Sequence, residues 1–482
     1  MEENSILNRD TYIWGAGKFG VLTALDCKQK GIKIVGFIDN NAENIKTRLN
    51  LPVLEPNSLL LSHVYVIIAI QEELAIMQVK EYLVKTGLKD GIDFEVSKKV
   101  VNANKIRRVK NFLISSLYIL LGLASKEYIR FKKTRIESKS ILLIEPNTYH
   151  GEIIPGYVKY LNDLGYNVDL ILQPRLKKDA PFVRCSKIPN TFYMLPNVCR
   201  KALKLNKIID YDFIFLTTSN LGDKRLHYNN SFLKYLGFMP KTKYGFLMVE
   251  HRIKPNIEQY GHYKYSNRMF TLAGFCNTKM LNPHYFGDNI KISKKSNSKI
   301  IFVAVVNCNN NDVLLFNSIH KLISTGYDNF KVIIIGRTVV NKVPQDFKSF
   351  VEITGIINFD EYWKIIELAD FFITMLNPEI ESQRMYMGNV VTASGQTIMG
   401  FRKPALIISE FAKYYRLDDA NAILYEKNEK LPDAMKKAIN MSQREYENLQ
   451  NNIAALANNI ERESLNNLRN TINEITSAST MG

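Results

Sequence analysis

The sequence predicts an α/β protein with mainly parallel sheets, and three observations support this class. Short runs of Val, Ile and Leu without polar alternation recur along the chain, for example at residues 140–145 and 331–336. Such runs are typical of strands that are covered on both faces. Helical segments separate the runs, and glycine follows several of them directly. The chain has 482 residues, 46% of them apolar, which is enough for about three packed domains.

The first predicted domain, residues 1–98, contains a glycine-rich turn between a strand and a helix. The strand at residues 12–14 runs into this turn, a helix follows to Lys30, and a second strand at residues 33–38 ends at Asp39. Glycines in this order let the backbone approach a pyrophosphate, and an acid after the second strand accepts a ribose hydroxyl. The predicted nucleotide contacts are Gly15, Gly17, Lys18, Phe19, Gly20 and Asp39.

This domain resembles the half-Rossmann nucleotide-binding domain at the front of some bacterial sugar-modifying enzymes, with residues 36–39 (GFID) as a second shared feature. The resemblance implies that a nucleotide or nucleotide-sugar binds here. Two alternatives stay open: the glycines serve only the tight packing of helix on strand, or the domain only supports assembly. Hydride transfer is not expected, because no Tyr-x-x-x-Lys pattern follows the turn.

A basic segment, residues 99–137, separates this domain from the rest. Residues 98–139 contain 12 Lys or Arg and 2 Glu, and so supply +10 of the net charge of +17. The 14 residues 112–125 carry no charge, and as a helix they span about 21 Å, less than the roughly 30 Å of a hydrocarbon core. The pattern favours a helix that lies on an anionic membrane surface. The main alternative is a linker helix docked between domains. A membrane span and a nucleic-acid site are less favoured.

The next predicted domain, residues 138–295, begins with a strand and a polar loop. The strand at residues 140–145 leads to His150, Gly151 and Glu152, and a later apolar run ends with Glu250 and His251. A carboxylate and an imidazole at strand ends can take a proton from an attacking hydroxyl. The candidate catalytic residues are therefore His150, Glu250 and His251. The alternative for His251 is a hydrogen bond within its own loop.

The domain at residues 296–440 contains predicted strands at residues 300–306, 331–336 and 371–375. A small-residue turn is expected before a short helix that ends at Gly400, and it would aim N–H groups at an anion. An ordinary capped helix is the alternative. The predicted contacts of this anionic ligand, which the resemblance described next makes a sugar donor, are Arg337, Ser394, Gly395, Gln396, Thr397 and Lys403.

From Ser138 onward, this order of elements resembles a GT-B glycosyltransferase. The resemblance implies two Rossmann-like halves, with the acceptor on the first half and a nucleotide-sugar donor on the second. The full predicted class is thus α/β, with two Rossmann-like GT-B halves preceded by a small additional Rossmann-like domain. In GT-B proteins a final helix often returns to the first half. Here the helix predicted at residues 441–482 either does so or pairs with another subunit of a homo-oligomer.

The chain departs from the GT-B pattern at two places. Many members carry an Arg and a Lys just after the first strand of the second half, whereas this chain has Asn, Cys and Asn at residues 307–311. The pair of glutamates eight residues apart, familiar in retaining members, is also incomplete, since Glu379 is followed at that distance by Met387. The resemblance therefore assigns no catalytic carboxylate.

The predicted function is sugar transfer from a UDP- or GDP-type donor to a bacterial surface glycan or a lipid-linked acceptor. No cofactor and no metal are expected to be required, because Asp210 and Asp212 mark a helix-to-strand turn without further oxygen ligands. Five scattered cysteines favour a location in the reducing cytoplasm. The basic segment favours peripheral attachment to the inner face of the plasma membrane. The alternatives are a nucleotide-sugar-modifying enzyme that uses the first domain, and a noncatalytic assembly protein that binds nucleotide-sugars. No nucleic-acid partner is expected.

Overall fold

The computed structural model describes residues 9–58, 64–205, 210–218, 242–251, 267–275, 278–296, 298–307, 311–337, 343 and 345–480. The chain divides into two compact units, Met1–Tyr118 and Ile119–Gly482. The described residues form one parallel-dominated sheet in the first unit and two in the second. The predicted α/β class with Rossmann-like sheets is therefore confirmed.

The first unit contains a sheet in the order β3-β4-β2-β1-β5-β6. Every pair is parallel except β3 with β4. The order reverses between β1 and β5, which is where open α/β sheets bind ligands. Its elements are β1 (Asp10–Trp14), α1 (Lys18–Gln29), β2 (Ile34–Ile38), β3 (Thr47–Arg48), β4 (Leu51–Leu54), β5 (Val64–Ile68), α2 (Glu73–Lys85) and β6 (Phe94–Val96). The strands predicted at residues 12–14 and 33–38 correspond to β1 and β2, whereas β3, β4 and β6 were not predicted.

Helix α3 (Lys98–Leu123) begins in the first unit and ends in the second. It is longer than the apolar run alone predicted, because the basic residues before the run are helical too. In the described part of the chain, no helix is long and apolar enough to cross a membrane.

The second sheet is parallel throughout and has the order β13-β12-β11-β10-β7-β8-β9. Apolar residues cover both of its faces, which explains why its strands read as unbroken apolar runs. Its elements are α4 (Lys126–Lys133), β7 (Ser140–Ile144), α5 (Ile154–Asp163), β8 (Asn167–Leu172), α6 (Leu176–Asp179), β9 (Asn190–Tyr193), α7 (Pro196–Leu205), β10 (Phe213–Leu216), β11 (Phe246–Glu250), β12 (Met269–Thr271) and β13 (Lys279–Met280).

The third sheet is also parallel, in the order β16-β15-β14-β17-β18-β19. Its strand order reverses between β14 and β17, so it too has a switch point at its carboxyl edge. Its elements are β14 (Ile300–Asn307), α8 (Asn311–Ser324), β15 (Phe330–Arg337), β16 (Val351–Gly355), α9 (Phe359–Leu368), β17 (Phe371–Ile373), α10 (Ala393–Phe401), β18 (Ala405–Ile408), α11 (Ser409–Ala412), β19 (Ala422–Tyr425) and α12 (Leu431–Asn440).

The last helix, α13 (Gln443–Thr480), contacts both sheets of the second unit. Near its start, Tyr446 is fully buried in the core of the third sheet and donates a hydrogen bond to the carbonyl of Asp370. Further along, Ser464 accepts a bond from the N–H of Asn282, and Thr471 accepts one from Lys279 beside β13. The helix thus returns to the first half, and its apolar face is covered by its own chain.

Candidate functional site

Three neighbouring strands of the second sheet end in polar residues at one edge. Glu145 follows β7, Thr217 and Thr218 follow β10, and His251 follows β11. These strands lie side by side in the order β11-β10-β7 and are parallel, so their carboxyl ends meet. Residues that are far apart in the sequence therefore share one small region.

Glu145 lies at the centre of this edge and is 1% exposed. Its Oε2 accepts hydrogen bonds from the hydroxyls of Thr217 (2.6 Å) and Thr218 (2.7 Å), and its Oε1 accepts one from the N–H of Asn147 (2.7 Å). Burial raises the pKa of the Glu145 carboxyl above its ordinary value, while His150 and the two hydroxyls act in the opposite direction. A buried acid held by three donors fixes the positions of its neighbours.

Two imidazoles lie next to this carboxyl group. The rings of His150 and His251 are in contact, with centroids 4.3 Å apart. The Nε2 of His251 lies 2.8 Å from the carbonyl oxygen of Thr217. Because a carbonyl only accepts, Nε2 carries a proton and donates it there. The His150 side chain is 30% exposed and lies 3.9 Å from Glu152. The structure thus brings together two of the three predicted catalytic residues.

The third predicted catalytic residue, Glu250, is the last residue of β11 and is 5% exposed. Its side chain is less accessible than that of His150. His150 also has a left-handed backbone conformation, with φ of 69°, which is uncommon for a residue other than glycine and marks strained positions. His150 is therefore better placed than Glu250 to meet a substrate.

The loop that carries His150 contacts the other half of the second unit. A Cβ added to Gly151 would lie 3.0 Å from the ring of Phe359, the first residue of α9. One turn further along α9, the Tyr362 hydroxyl bonds Thr397 of α10 at 3.2 Å. Contacts therefore connect the imidazole pair to α10 through α9.

The start of α10 differs from the prediction. Ser394, Gly395, Gln396 and Thr397 form its first turns and do not precede it, and the helix runs on to Phe401. Thr397 is buried and donates a hydrogen bond to the carbonyl of Ala393. Gly395 donates its N–H to the carbonyl of Thr392. Direct contact with an anion is therefore left to the N–H groups of Ala393 and Ser394, because the first N–H groups of a helix have no acceptor within it.

Two side chains at this helix start have buried polar atoms without a hydrogen-bond partner among the described residues. Gln396 is 1% exposed, and within the residues that the structure describes neither its Oε1 nor its Nε2 has a hydrogen-bond partner. The same holds for Oγ1 of Thr392, the residue before the helix, which sequence reasoning did not single out. Buried polar groups are nearly always satisfied in proteins, so this region is suited to a polar ligand.

Arg337 ends β15 and is exposed. Its register partner on β14 is Asn307, the first residue of the Asn-rich segment 307–311. The next three, residues 308–310, lie outside the described residues. The exposed guanidinium of Arg337 leaves it available to an anionic ligand.

Lys403 does not fit the predicted donor contact. Its side chain is completely buried, and its ammonium donates to the Ser293 hydroxyl and to the carbonyls of Glu367 and Ala369 at 2.6–3.0 Å. The lysine thereby satisfies carbonyls at the C-terminal end of α9. Burial lowers the pKa of Lys403 to about 8. We therefore assign it a structural role.

The first unit has a cavity of about 390 Å³ at its switch point. The cavity is lined in part by Trp14, Gly15 and Asp39, together with Ile70 and Tyr82. Aromatic and apolar walls with a few polar groups are typical of small-molecule sites. Of the predicted contacts, Gly15 and Asp39 border this space.

The predicted contacts around the glycine-rich turn have different roles. Asp39 accepts bonds from the N–H groups of Ala16 (2.8 Å) and Asn41 (3.0 Å), so it holds the turn itself. A Cβ at Gly20 would lie 1.9 Å from the carbonyl oxygen of Gly15, whereas one at Gly17 would meet nothing within 4 Å. Gly20 is thus explained by packing, and Gly17 is not.

The two remaining contacts predicted for the turn also separate. Phe19 packs against the apolar core of the first unit and Lys18 is exposed. A residue that sequence reasoning missed, Arg48, donates from Nε to the carbonyl of Ala16 at 3.0 Å. A guanidinium is thereby held beside the turn. No sequence signal pointed to it, because it lies on the short strand β3.

The structure also bears on the metal question. Among the described residues, no group of three or more His, Cys, Asp or Glu side chains is arranged to hold a metal ion. Asp212 lies just before β10 and its nearest cation is Lys243, at 3.8 Å.

Comparison with solved structures gives distant likenesses. No protein-family model matches the sequence, and no curated protein sequence matches it significantly. Among solved structures, the chain is similar to the T4 phage β-glucosyltransferase, at 16% identity over 69% of this chain and 99% of that chain, with a TM-score of 0.39. The chain is also similar to HepE from Anabaena, solved with UDP and glucose, at 12% identity over 70% of this chain and 100% of that chain, with a TM-score of 0.43. The sucrose-phosphate synthase of Thermosynechococcus elongatus is similar at 11% identity over 70% of this chain and 100% of that chain, with a TM-score of 0.42. Because TM-scores below 0.5 do not establish a common fold, the architecture described above rests on the strand order and contacts of the chain itself.

Proposed function

We propose that this chain is a glycosyltransferase that moves a sugar from a nucleotide-sugar donor to an acceptor hydroxyl. One observation carries the proposal. An imidazole pair at the carboxyl edge of one parallel sheet is connected, through Phe359 and Tyr362, to a helix start that has unpaired buried polar groups. The first region is suited to proton transfer and the second to an anion. Sugar transfer from a nucleoside diphosphate needs both.

In the proposed reaction, the acceptor oxygen attacks the anomeric carbon of the donor. The new carbon–oxygen bond forms as the bond to the diphosphate oxygen breaks, and the electron pair leaves with the nucleoside diphosphate. The acceptor proton passes to the imidazole of His150, whose side chain is 30% exposed. His251, fixed by Thr217, and the buried Glu145 hold that ring and stabilise its charge.

The donor diphosphate is placed at the N-terminal end of α10 in this proposal. The N–H groups of Ala393 and Ser394 and the helix dipole favour an anion there. Gln396 and Thr392 would gain the hydrogen-bond partners that they lack. Arg337 supplies the positive charge that the family's Arg and Lys provide elsewhere. Such groups stabilise the charge that develops on the leaving diphosphate.

The finer features of the function are part of the proposal. A UDP- or GDP-sugar is the donor class, and a surface glycan or lipid-linked acceptor is the acceptor class. Turnover without a bound metal is expected because Arg337 and the helix start would do the neutralising. The basic segment at residues 99–137 supports work at the cytoplasmic face of the plasma membrane.

Donor binding and turnover test this proposal. Calorimetry of the full chain against UDP- and GDP-sugars would identify the donor, and nucleoside diphosphate release with and without EDTA would measure turnover. Binding together with metal-independent release supports the proposal. Tight binding without release, in the presence of glycan and lipid-linked acceptors, would favour a noncatalytic assembly protein. The absence of any binding would overturn the proposal.

A second candidate function is supported by the cavity of the first unit. There, the catalytic or regulatory nucleotide would lie between the glycine-rich turn and Tyr82, with Arg48 and Lys18 near its phosphates. The matched pair Gly17→Ala and Gly20→Ala tests it. Gly17→Ala should leave the melting temperature unchanged and weaken nucleotide binding, whereas Gly20→Ala should destabilise the fold. If turnover is lost in Gly17→Ala but kept in Arg337→Ala, the chemistry belongs to the first unit.

A further inference from the structure

Helix α3 carries an apolar stripe along one side. At about 100° per residue, its members fall within an arc of about 120°. Each side chain is 54–69% exposed, which is unusual for a row of large apolar residues. The stripe consists of Ile106, Val109, Leu113, Leu117, Leu120 and Leu121.

Basic residues border this stripe, and Lys110 falls within its arc between Val109 and Leu113. Lys105 and Arg107 are exposed and lie about 100° to either side of Ile106 around the helix axis. Beyond the end of α3, the exposed residues Lys126, Lys132 and Arg135 continue the positive charge. An apolar strip with cationic edges is typical of helices that lie in the plane of a membrane interface.

The opposite side of α3 is held by the protein. In the first unit, Val100 is completely buried and Asn104 donates a hydrogen bond to the carbonyl of Gln71. In the second unit, Gly122 packs so closely on Val198 that an added Cβ would lie 2.2 Å from it. These three residues lie on the side away from the stripe, so α3 cannot turn the stripe inward without breaking them.

We propose that α3 docks on a bilayer that contains anionic lipid. The stripe would enter the boundary between headgroups and acyl chains, and the flanking Lys and Arg would contact lipid phosphates. Charge decides between this occupant and a second copy of the chain. Residues 98–123 include no acidic residue, so two copies of α3 packed along the stripe would bring like charges together.

This inference goes beyond the proposed sugar transfer and holds whether or not the chain is an enzyme. It gives the chain an attachment that needs no membrane-spanning helix. It also predicts two separable contributions, one from apolar burial and one from charge. Only the second should weaken as salt is added.

Vesicle flotation of the full chain tests the proposal. Vesicles of phosphatidylcholine with phosphatidylglycerol should carry the protein, and vesicles of phosphatidylcholine alone should carry much less. The double variant Leu117→Glu/Leu120→Glu should lower the partition coefficient by about tenfold or more. The matched control is Met77→Glu/Val84→Glu, two exposed apolar residues on α2, which should float like the wild type.

A charge variant separates lipid electrostatics from simple stickiness. Lys105→Glu/Arg107→Glu should also weaken flotation by about tenfold. The difference in flotation between this variant and the wild type should become smaller at high salt. The control Lys321→Glu/Lys348→Glu removes the same charge from exposed sites elsewhere. Melting temperatures of all variants should match the wild type, since every altered side chain is exposed.

Two results would overturn the proposal. One is equal flotation of the wild type and Leu117→Glu/Leu120→Glu. The other is a dimer of the wild type in light scattering that becomes a monomer in that variant while vesicles leave the dimer intact. The stripe would then be an interface between two copies of this chain.

Discussion

The two sheets of the second unit end in different chemistry. At the carboxyl edge of β7, β10 and β11, the side chains are titratable, with His150 and His251 beside the buried Glu145. Around the third sheet, the corresponding groups are the helix start at Thr392, the amide of Gln396 and the guanidinium of Arg337. In the proposed reaction, the first edge moves a proton and the second holds a negative charge. The comparison teaches that the proposed transfer is divided between the halves.

Removal of the accessible imidazole should have the largest effect. His150→Ala should lower turnover by about 10²–10⁴-fold, the usual contribution of a general base, and leave donor affinity nearly unchanged. Release of nucleoside diphosphate from saturating donor measures it. His320→Ala, in which the altered ring packs on Phe347 of the other half, is the control and should keep wild-type turnover. Equal turnover in both variants would contradict a role for His150.

The charge on the other edge should act on affinity. Arg337→Ala should weaken donor binding by about 1.5–3 kcal/mol, the range for a hydrogen bond to a charged group, because Arg337 brings an exposed guanidinium to the end of β15. Calorimetry with the donor measures it. Since Arg337 is exposed, the melting temperature of the Arg337→Ala variant should equal that of the wild type. A variant that binds normally but turns over slowly would break the division between the halves.

Lys403 should separate stability from donor binding. Lys403→Met removes the ammonium donor from the buried carbonyl of Ala369, whereas the carbonyl of Glu367 keeps the Ser293 hydroxyl as a donor. We expect a loss of about 1–3 kcal/mol in the free energy of unfolding. Chemical denaturation measures it, and donor affinity should stay unchanged in the folded variant. If affinity fell as it does in Arg337→Ala while stability held, Lys403 would belong to the donor site after all.

The same lysine predicts a pH dependence. Its pKa is about 8 when folded and 10.5 ordinarily, so the unfolded chain binds more protons between these values. The contribution of Lys403 to stability is therefore present above pH 10.5 and is lost as the pH falls to 8. Chemical denaturation of the wild type and of Lys403→Met measures this between pH 7 and 9.5. The free energy of unfolding of the wild type should rise with pH, and that of the variant should not show this rise.

The smallest expected effect concerns Glu145. Burial raises its pKa in the folded state above 4.5, so its contribution is fully present below pH 4.5 and is lost as the pH rises through the folded pKa. Glu145→Gln cannot ionise and should therefore gain stability over the wild type as the pH rises, while turnover falls. Melting curves between pH 4 and 8 measure this. If the melting temperature of the wild type rose relative to that of Glu145→Gln as the pH increased, the raised pKa of Glu145 would be contradicted.

The sequence predicts the sheets better than it predicts the site. Buried parallel strands such as β15 are visible because both faces must be apolar, and the ends of such strands locate His150 and His251. Glu145 was visible only as the last residue of the predicted strand at residues 140–145, and its part in the site was not predicted. Its hydroxyl partners were not predicted either, because only the strand order places β10 beside β7.

Errors in the predicted donor site have a different cause. The start of α10 was predicted a few residues too late. Thr392, a residue type common at N-caps, precedes the helix and was not recognised as its start, and its side chain makes no capping bond. Lys403 appeared to be a free cation because its burial depends on three acceptors from distant parts of the chain. Long-range packing decides which polar residues remain available to a ligand.

The most direct test of the division between the halves is a paired measurement on His150→Ala and Arg337→Ala. For each variant, donor dissociation constants and rates of nucleoside diphosphate release at saturating donor would be measured side by side. We predict that His150→Ala keeps its affinity and loses its rate, and that Arg337→Ala loses affinity by more than it loses rate. Equal losses of both quantities in both variants would contradict the division, as would a wild-type chain that binds no nucleotide-sugar.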